Sequence, residues 1–222
     1  MGKIIDLSMT IDEGMQTFAA HWHPFVEITQ LGRHGIENRE TRKITLGTHT
    51  GTHIDAPRHF IPDGKTVEQI SMEQCVGYAL VLDFSHLPDF HEISREELES
   101  SVGSNSVERV IFRFDWDKHL GTNKYYSDHP FLSESACEFL VEKGCKLIAL
   151  DTPQPDNPKN GRFSIKDAPN HKILLGSDIL IVEYLINIKL IKSTITTLVV
   201  APLKIASGDG APVRCFAIEE DL

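Results

Sequence analysis

Three histidines and one aspartate fall within eleven residues of the chain, in the stretch HTGTHIDAPRHF at positions 49–60. The side chains that can do chemistry there are His49, His53, Asp55 and His59. Neutral imidazole and carboxylate are ligands that zinc and manganese accept in proteins. A lone histidine is more often a surface or hydrogen-bonded residue. Three beside a carboxylate, in a segment framed by glycine and proline, indicate a divalent metal site.

The spacing of these residues bears on their local structure. His49 and His53 are four residues apart, which on a helix would place both on one face, as in the zinc proteases. Gly51 and Thr52 argue against a helix, so we predict an extended segment in which alternate side chains face one side. Gly51 would then leave open space for a cation between the two histidines, and Asp55 could bind one ion or bridge two.

A second candidate is Glu183, which lies inside the apolar run ILIVEYL at positions 179–185. A buried carboxylate carries a severe desolvation cost unless it is paired or bound to a metal. The alternative is a buried salt bridge to a lysine or arginine. The burial argument favours a metal ligand.

The elements that must position these side chains are mostly strands. Short runs rich in β-branched and aromatic residues predict strands, at 3–11, 25–31, 40–47, 78–85, 109–116, 146–153, 178–185 and 197–205. Helices are predicted at 94–102, 133–144 and 169–176, with a capping box from Ser94 to Glu97, Gly144 after one C-cap and Gly176 as a stop. This order predicts an α/β protein with mixed sheets, and the length suits one domain spanning 1–222.

Composition narrows the function classes. The formal net charge is −10, which disfavours nucleic acid because phosphate binding needs clustered lysine and arginine. The N-terminus lacks the apolar core of a signal peptide, and the longest apolar run, at 179–191, is too short and too polar to span a bilayer. The four cysteines show no CxxC pairing. We therefore expect a cytoplasmic protein with reduced thiols that binds a small molecule, not a membrane.

The stretch at 49–60 matches every fixed position of HxGTHxDxPxHF. It thereby resembles the signature of the cyclase family of metal-dependent hydrolases, which includes bacterial kynurenine formamidases and isatin hydrolases. The resemblance extends along nearly the whole chain, through IDLSMTIDEGM, LIALDTP, NHKILLGSDILIVEYLINI and APLKIASGDGAPVRCFAI. It implies a swivelling β/β/α fold with mixed sheets, assembled as a homodimer or homotetramer.

The resemblance also implies roles for individual residues. The matching metal ligands are His49, His53, Asp55, His171 and Glu183. His59 matches the family's catalytic general acid and base. Two zinc ions per chain are expected, with Asp55 as the bridge and manganese as the alternative metal.

The implied activity is hydrolysis of an amide, lactam or ester bond of a small molecule by a metal-activated water. An arylformamidase acting on N-formylkynurenine is the nearest alternative. A metal-binding protein without turnover is an alternative of another class, and His59 argues against it, since a storage site needs no free histidine beside the metals.

Two segments depart from the arylformamidase pattern. The turn that usually reads DTPS reads DTPQ here, so Gln154 replaces the serine. The segment FAAHWHPFVEI differs from the proline- and glycine-rich sequence common in formamidases. We predict that Gln154 contacts the substrate and that formylkynurenine activity is weak. Trp22 and His23 either line the substrate pocket or serve a structural role beside a strand.

Overall fold

The computed structural model describes residues 2–162 and 164–219. The strands within this part of the chain are β1 (Lys3–Asp6), β2 (Glu27–Gly32), β3 (Thr41–Thr45), β4 (His53–Asp55), β5 (Val76–Asp83), β6 (Glu92–Ile93), β7 (Arg109–Arg113), β8 (Phe131–Leu132), β9 (Leu147–Leu150), β10 (Leu180–Glu183), β11 (Ile195–Pro202) and β12 (Gly210–Glu219). The α-helices are α1 (Met72–Cys75), α2 (Arg95–Val102), α3 (Asn123–Ser127), α4 (Glu134–Glu142) and α5 (Pro169–Gly176).

Seven strands close into a mixed barrel. Their order is β12-β11-β5-β7-β9-β10-β4, and β4 returns to pair with β12, while β1 pairs with β12 outside the ring. The pairs among β5, β7, β9 and β10 are parallel, and the others are antiparallel. The predicted mixed α/β class is thus confirmed, and the barrel is closed by the three-residue strand that carries His53 and Asp55.

Two apolar clusters hold the barrel and its helices together. One cluster joins barrel residues such as Val110 and Ile148 to α2, α4 and α5. The other includes Ile54, Ile111 and Val182 and gathers side chains from most strands of the ring. Strands β9 and β10 are buried along their whole length. Apart from Glu183 at the end of β10, their residues are all apolar, because both faces of a helix-covered parallel sheet are buried.

The predicted helices are present, and their ends test the capping rules. The Ser94 and Glu97 capping box forms at the start of α2. After α4, the C-cap Lys143 is followed by Gly144 with φ +72°, as predicted. Helix α5 spans Pro169–Gly176, the predicted range, and ends at Gly176 with Ser177 as the C-cap.

The strand predictions differ from the structure at both ends of the chain. The strand predicted at 3–11 ends at Asp6. Leu7 and Ser8 still hydrogen-bond to Cys215 of β12, but the Met9 amide donates to Thr52 Oγ1 instead of a neighbouring strand. The longest strand, β12, was not predicted, because glycine, proline and arginine interrupt its apolar alternation. Among the described residues, no helix has the length and apolar character needed to cross a membrane.

Strands β2 and β3 form a hairpin that pairs with no other described strand. Several large apolar side chains in this segment face outward, with exposed fractions of 83% for Phe25, 60% for Leu31, 69% for Ile36 and 57% for Ile44. An isolated two-stranded hairpin is at best marginally stable in water. Within residues 2–162 and 164–219, nothing covers these four exposed side chains.

Candidate metal centre

His53 and Asp55 stand on the strand that closes the barrel. In β4 they flank the fully buried Ile54, and both side chains lie on the opposite face from it. The distance from His53 Nε2 to Asp55 Oδ1 is 3.3 Å. The predicted placement of these two side chains on one side of an extended segment agrees with the structure.

The prediction of an extended segment is wrong for residues 49–52. This part of the chain is a turn, and Gly51 has φ +60°, a left-handed conformation that glycine adopts without steric cost. Gly51 therefore reverses the chain and does not leave a gap for a cation. The turn brings His49 back onto the barrel, where its Nδ1 lies 2.7 Å from Asp55 Oδ1.

Glu183 and His171 reach the same place from different elements. Glu183 ends β10 and pairs in register with His53 of β4, and its Oε2 lies 3.4 Å from His53 Nε2. His171, in the first turn of α5, places Nε2 3.2 Å from Glu183 Oε1 and 3.4 Å from Asp55 Oδ2. Within the described residues, neither carboxylate pairs with a lysine or arginine, so the salt-bridge alternative for Glu183 lacks a partner.

Neighbouring acceptors fix how two of the histidines present their nitrogens. His53 Nδ1 lies 2.8 Å from the Gly51 carbonyl oxygen, which can only accept a proton. His171 Nδ1 lies 2.5 Å from Asp156 Oδ2. Both rings therefore carry the proton on Nδ1 and turn Nε2 towards the carboxylates of the site. Acceptors behind histidine ligands have this orienting effect in metal sites.

Asp156 has a further role as the cap of α5. Ala168 offers no side-chain cap, and the Asp156 carboxylate instead accepts hydrogen bonds from the backbone amides of Asn170 and His171, at 2.7 and 3.2 Å. Sequence reasoning missed Asp156. Asp156 is the second aspartate of DTPQPDNP. Because it lies fifteen residues before His171, the sequence did not reveal their contact.

The residues fit a divalent cation. One donor atom each from His53, Asp55 and Glu183 lies within 4.8 Å of the others, and all three residues are buried. Glu183 Oε1 is buried and makes no hydrogen bond of acceptable geometry, although His171 Nε2 is 3.2 Å away. An orphaned buried carboxylate oxygen is costly, and a cation would satisfy it. His171 completes a four-ligand set of the kind that zinc accepts.

A second group of candidate ligands shares Asp55. It consists of His49, Asp55 and His59, whose donor atoms also lie within 4.8 Å of one another. The rings of His49 and His59 are stacked at a tilt, with centroids 3.9 Å apart. Because Asp55 contacts both groups, this arrangement fits either two cations bridged by Asp55 or one cation with His59 as a free base.

Asp209 is a site residue that sequence reasoning missed. Its Oδ2 lies 2.8 Å from His49 Nε2 and 3.3 Å from His59 Nδ1, and its Oδ1 accepts from Thr48 Oγ1 at 2.9 Å. The adjacent Gly210 permits this approach, since a Cβ there would lie 2.7 Å from the His49 ring. Asp209 belongs to SGDGAP, and its glycines were the only available signal.

The histidines and carboxylates of the site shift one another's pKa values strongly. Burial alone would lower the pKa of His53, but Asp55 and Glu183 raise it to about 10. Burial likewise opposes charge on His171, and the surrounding carboxylates still raise its pKa well above the ordinary value. Burial would raise the pKa of Asp55, yet the nearby histidines hold it well below its usual range. Protons on the imidazoles therefore neutralise the carboxylates when no cation is bound.

These shifts predict that metal binding releases protons. His53 with a pKa of about 10 is protonated at neutral pH and must lose that proton to bind a cation. The apparent affinity for zinc should therefore rise as pH rises between about 6 and 8, in accord with this linkage. Calorimetric titration in buffers of different ionisation enthalpy measures the released protons. An affinity independent of pH would contradict the assignment of these histidines as ligands.

The site opens into a pocket of about 760 Å³, a size typical of small-molecule sites. The predicted pocket residues Trp22, His23 and Gln154 all line it. The His23 ring lies 6.3 Å from that of His49, while Trp22 is 56% exposed and has the Arg162 guanidinium 5.1 Å above its ring. Apart from the candidate ligands and His59, the rest of the wall is mostly apolar and includes Phe18, Phe60 and Tyr184.

Comparisons with known proteins give a consistent result. The sequence model of the Cyclase family matches residues 5–157. The kynurenine formamidase of Bacillus mycoides (strain KBAB4) is 31% identical over 210 residues, which cover 95% of this chain and 94% of that protein.

Solved structures agree with the sequence comparison. Isatin hydrolase A from Labrenzia aggregata, bound to benzyl benzoate, has a TM-score of 0.88 at 27% identity, covering 99% of this chain and 94% of that one. A structure described as a potential metal-dependent hydrolase with cyclase activity has a TM-score of 0.79 at 25% identity, and all of both chains is covered.

Proposed function

The chain belongs to the Cyclase family, and from this premise we propose that it is a metal-dependent hydrolase that cleaves a carbon–nitrogen bond of a small amide or lactam. The observation that carries the proposal is that Asp55 belongs to both groups of candidate ligands, and that these groups line a pocket of small-molecule size. Ester cleavage would use the same groups. Kynurenine formamidase and isatin hydrolase relatives support this reaction class.

Each group near Asp55 has a distinct part in the proposed reaction. A bound divalent cation supplies Lewis acidity, lowering the pKa of a coordinated water towards about 7 and polarising a carbonyl oxygen. His53, Asp55, His171 and Glu183 would hold one cation. His59 presents Nδ1 to Asp209, which leaves Nε2 to take a proton from water and return it to the leaving nitrogen.

We further propose that two zinc ions bind per chain, with manganese as the alternative. Five candidate ligands are more than one tetrahedral site needs if it must also admit a water molecule. Asp55 contacts His49 through Oδ1 and His171 through Oδ2, as a bridging carboxylate would. Elemental analysis of the purified protein measures the number and identity of the ions.

A metal-reconstitution experiment tests the function. The protein is stripped with a chelator, then supplied with zinc or manganese and assayed on formanilide, isatin and phenyl acetate. We expect hydrolysis of at least one amide or lactam only after metal is restored. Metal binding without turnover of any substrate in a broad panel of formamides, lactams and cyclic imides would favour the binding-protein alternative.

A kynurenine formamidase is the second candidate, favoured by the 31% identity to the Bacillus enzyme. We expect N-formylkynurenine to be a poor substrate, with kcat/KM below about 10⁵ M⁻¹s⁻¹. Gln154 is longer than serine and would occupy room that the amino-acid tail of this substrate needs. Gln154→Ser should raise kcat/KM for N-formylkynurenine relative to formanilide, which lacks the tail.

The ratio of the two substrates serves as the internal control for that prediction. A general loss of metal or stability would lower both rates together and leave the ratio unchanged. If the wild type hydrolyses N-formylkynurenine efficiently, kynurenine formamidase becomes the preferred function.

A second copy of this chain is the partner we propose for the β2–β3 hairpin. The hairpin pairs with no other described strand and exposes Phe25, Leu31, Ile36 and Ile44. Covering this surface would stabilise it by burying apolar area. A molar mass of two or four chains in light scattering supports a homodimer or homotetramer, whereas a monomer at micromolar concentration would contradict it.

A cytoplasmic location completes the proposal. The four cysteines are unpaired and buried, as expected for a reducing compartment. Burial raises the pKa of Cys75 to about 11 and that of Cys145 to about 12, so these thiols are poor nucleophiles. Nucleic acid is not a partner in this proposal, because the net charge is −10, and neither is a membrane, because the longest apolar run, at 179–191, is interrupted by Glu183, Asn187 and Lys189.

A further inference from the structure

A buried histidine lies behind the pocket wall at Gln154. His129 is fully buried, and its Nδ1 lies 3.0 Å from the Pro130 carbonyl oxygen. A carbonyl oxygen can only accept, so Nδ1 carries the proton. Burial lowers the pKa of His129 to about 4, which keeps the ring neutral at physiological pH. His129 Nε2 is therefore a bare acceptor.

This acceptor decides how the Gln154 amide is turned. Gln154 Nε2 lies 3.5 Å from His129 Nε2. The side-chain oxygen in that position would face a lone pair, so the amide group donates to His129. Because Gln154 also lines the pocket, its side-chain oxygen is left as an acceptor for a bound molecule, beside the second amide hydrogen.

The turn that carries Gln154 is held by a hydrogen bond of its own and by hydrogen bonds from β8 and α5. Thr152 Oγ1 donates to the Gln154 carbonyl oxygen at 3.0 Å. The Pro155 carbonyl oxygen accepts from the backbone amide of Leu132 and from Asn170 Nδ2, both at 3.0 Å. Residues 151–153, 155 and 156 are buried. Gln154 thus projects from a fixed support, which is what a specific contact requires.

We propose that Gln154, oriented by His129, accepts a hydrogen bond from the substrate and selects amides and lactams that carry an N–H donor. The inference rests on the proposed hydrolase function and adds the polar group that the substrate must present. A pocket built around an oriented acceptor discriminates against an analogue without the donor, because the acceptor is then left unpaired. His129 is a positioning residue, since it acts only through Gln154.

Matched substrates isolate this contact. Formanilide and N-methylformanilide, and likewise isatin and N-methylisatin, differ by one methyl group in place of the N–H. N-methylation also alters intrinsic reactivity, but that effect cancels when the ratio of kcat/KM values is compared between enzyme variants. We expect Gln154→Met, which keeps the length and removes the acceptor, to reduce the preference for the N–H substrates by about 10-fold.

Gln154→Glu separates the acceptor oxygen from its orientation. It keeps an oxygen at the same reach but removes the amide N–H that donates to the bare His129 nitrogen, so its preference for N–H substrates should fall between those of wild type and Gln154→Met. His129→Phe removes the orienting acceptor while keeping a ring, and it should lower the same ratio. If this variant does not fold, the comparison of Gln154→Met and Gln154→Glu with wild type tests the inference by itself.

The outcomes separate this inference from the function on which it depends. Active enzymes whose N–H to N-methyl ratio is the same in wild type and Gln154→Met would overturn the role of Gln154 and leave the hydrolase intact. A preference in both Gln154→Glu and His129→Phe as high as in wild type would overturn the orienting role of His129, since the hydrogen bond to that ring is absent in both variants. A metal-loaded wild type that cleaves none of the four substrates would overturn both proposals.

Discussion

Replacing Asp55 with alanine is expected to abolish metal binding and turnover together. Asp55 is buried and contacts His49 and His171 through different carboxylate oxygens, and it belongs to both groups of candidate ligands. Without it, neither group keeps its shared carboxylate. We expect kcat/KM to fall by at least about 10⁴-fold, because the activated water and the polarised carbonyl are lost at once. Elemental analysis and steady-state kinetics on the same preparation measure both effects.

Asp156→Asn is the graded comparison for that variant. Asp156 contacts His171 Nδ1 but none of the other proposed ligands, and its replacement should weaken metal affinity by about 10- to 100-fold without abolishing it. Circular dichroism shows whether each variant is folded. An Asp55→Ala protein that is folded, retains its metal and remains active would refute the assignment of Asp55.

Replacing His59 with alanine is expected to preserve the metal at the His53, Asp55 and Glu183 group and to remove most turnover. His59 Nδ1 faces Asp209, so Nε2 is free for proton transfer. Transfer by a positioned side chain contributes about 10²- to 10⁴-fold to rate. Added imidazole should restore part of the activity, because it supplies the ring that the alanine variant lacks.

His23→Ala is the matched control, since His23 also lines the pocket but belongs to neither group of candidate ligands. We expect it to change KM more than kcat. His59 also lies in one group of candidate ligands with His49 and Asp55. Its position therefore suits a metal ligand as well as a general base. If His59→Ala lost one of two ions, His59 would be a ligand, and the general base would have to be sought elsewhere.

The sequence predicted local features better than long-range ones. The caps around α2 and α4 followed the sequence because they depend on residues a few positions apart. Closure of the barrel was not predicted, since it depends on β4. This strand has three residues and pairs with both β10 and β12. Such a strand is too short to show periodicity, and its pairing partners are more than a hundred residues away.

The same distinction applies to the site. The proposed ligands were named from a dense local pattern, from Glu183 in an apolar run, and from the resemblance. Asp209, Asp156 and His129 were missed because each acts through a partner distant in sequence. His49 was predicted as a ligand and lies beside Asp55, but the turn at Gly51 that places it was predicted as extended. Residue type thus indicated the chemistry, and only the fold supplied the orienting contacts.

The position of the proposed ligands on β4, β10 and α5 also links the cation to the free energy of unfolding. A ligand that binds only the folded chain at 1,000 times its dissociation constant stabilises it by about 4 kcal/mol. For a chain of this length, that corresponds to a rise in melting temperature of about 10 °C. Chelation would then loosen the strand that closes the barrel as well as stop catalysis. The melting temperature would thus report metal occupancy even before a substrate is known.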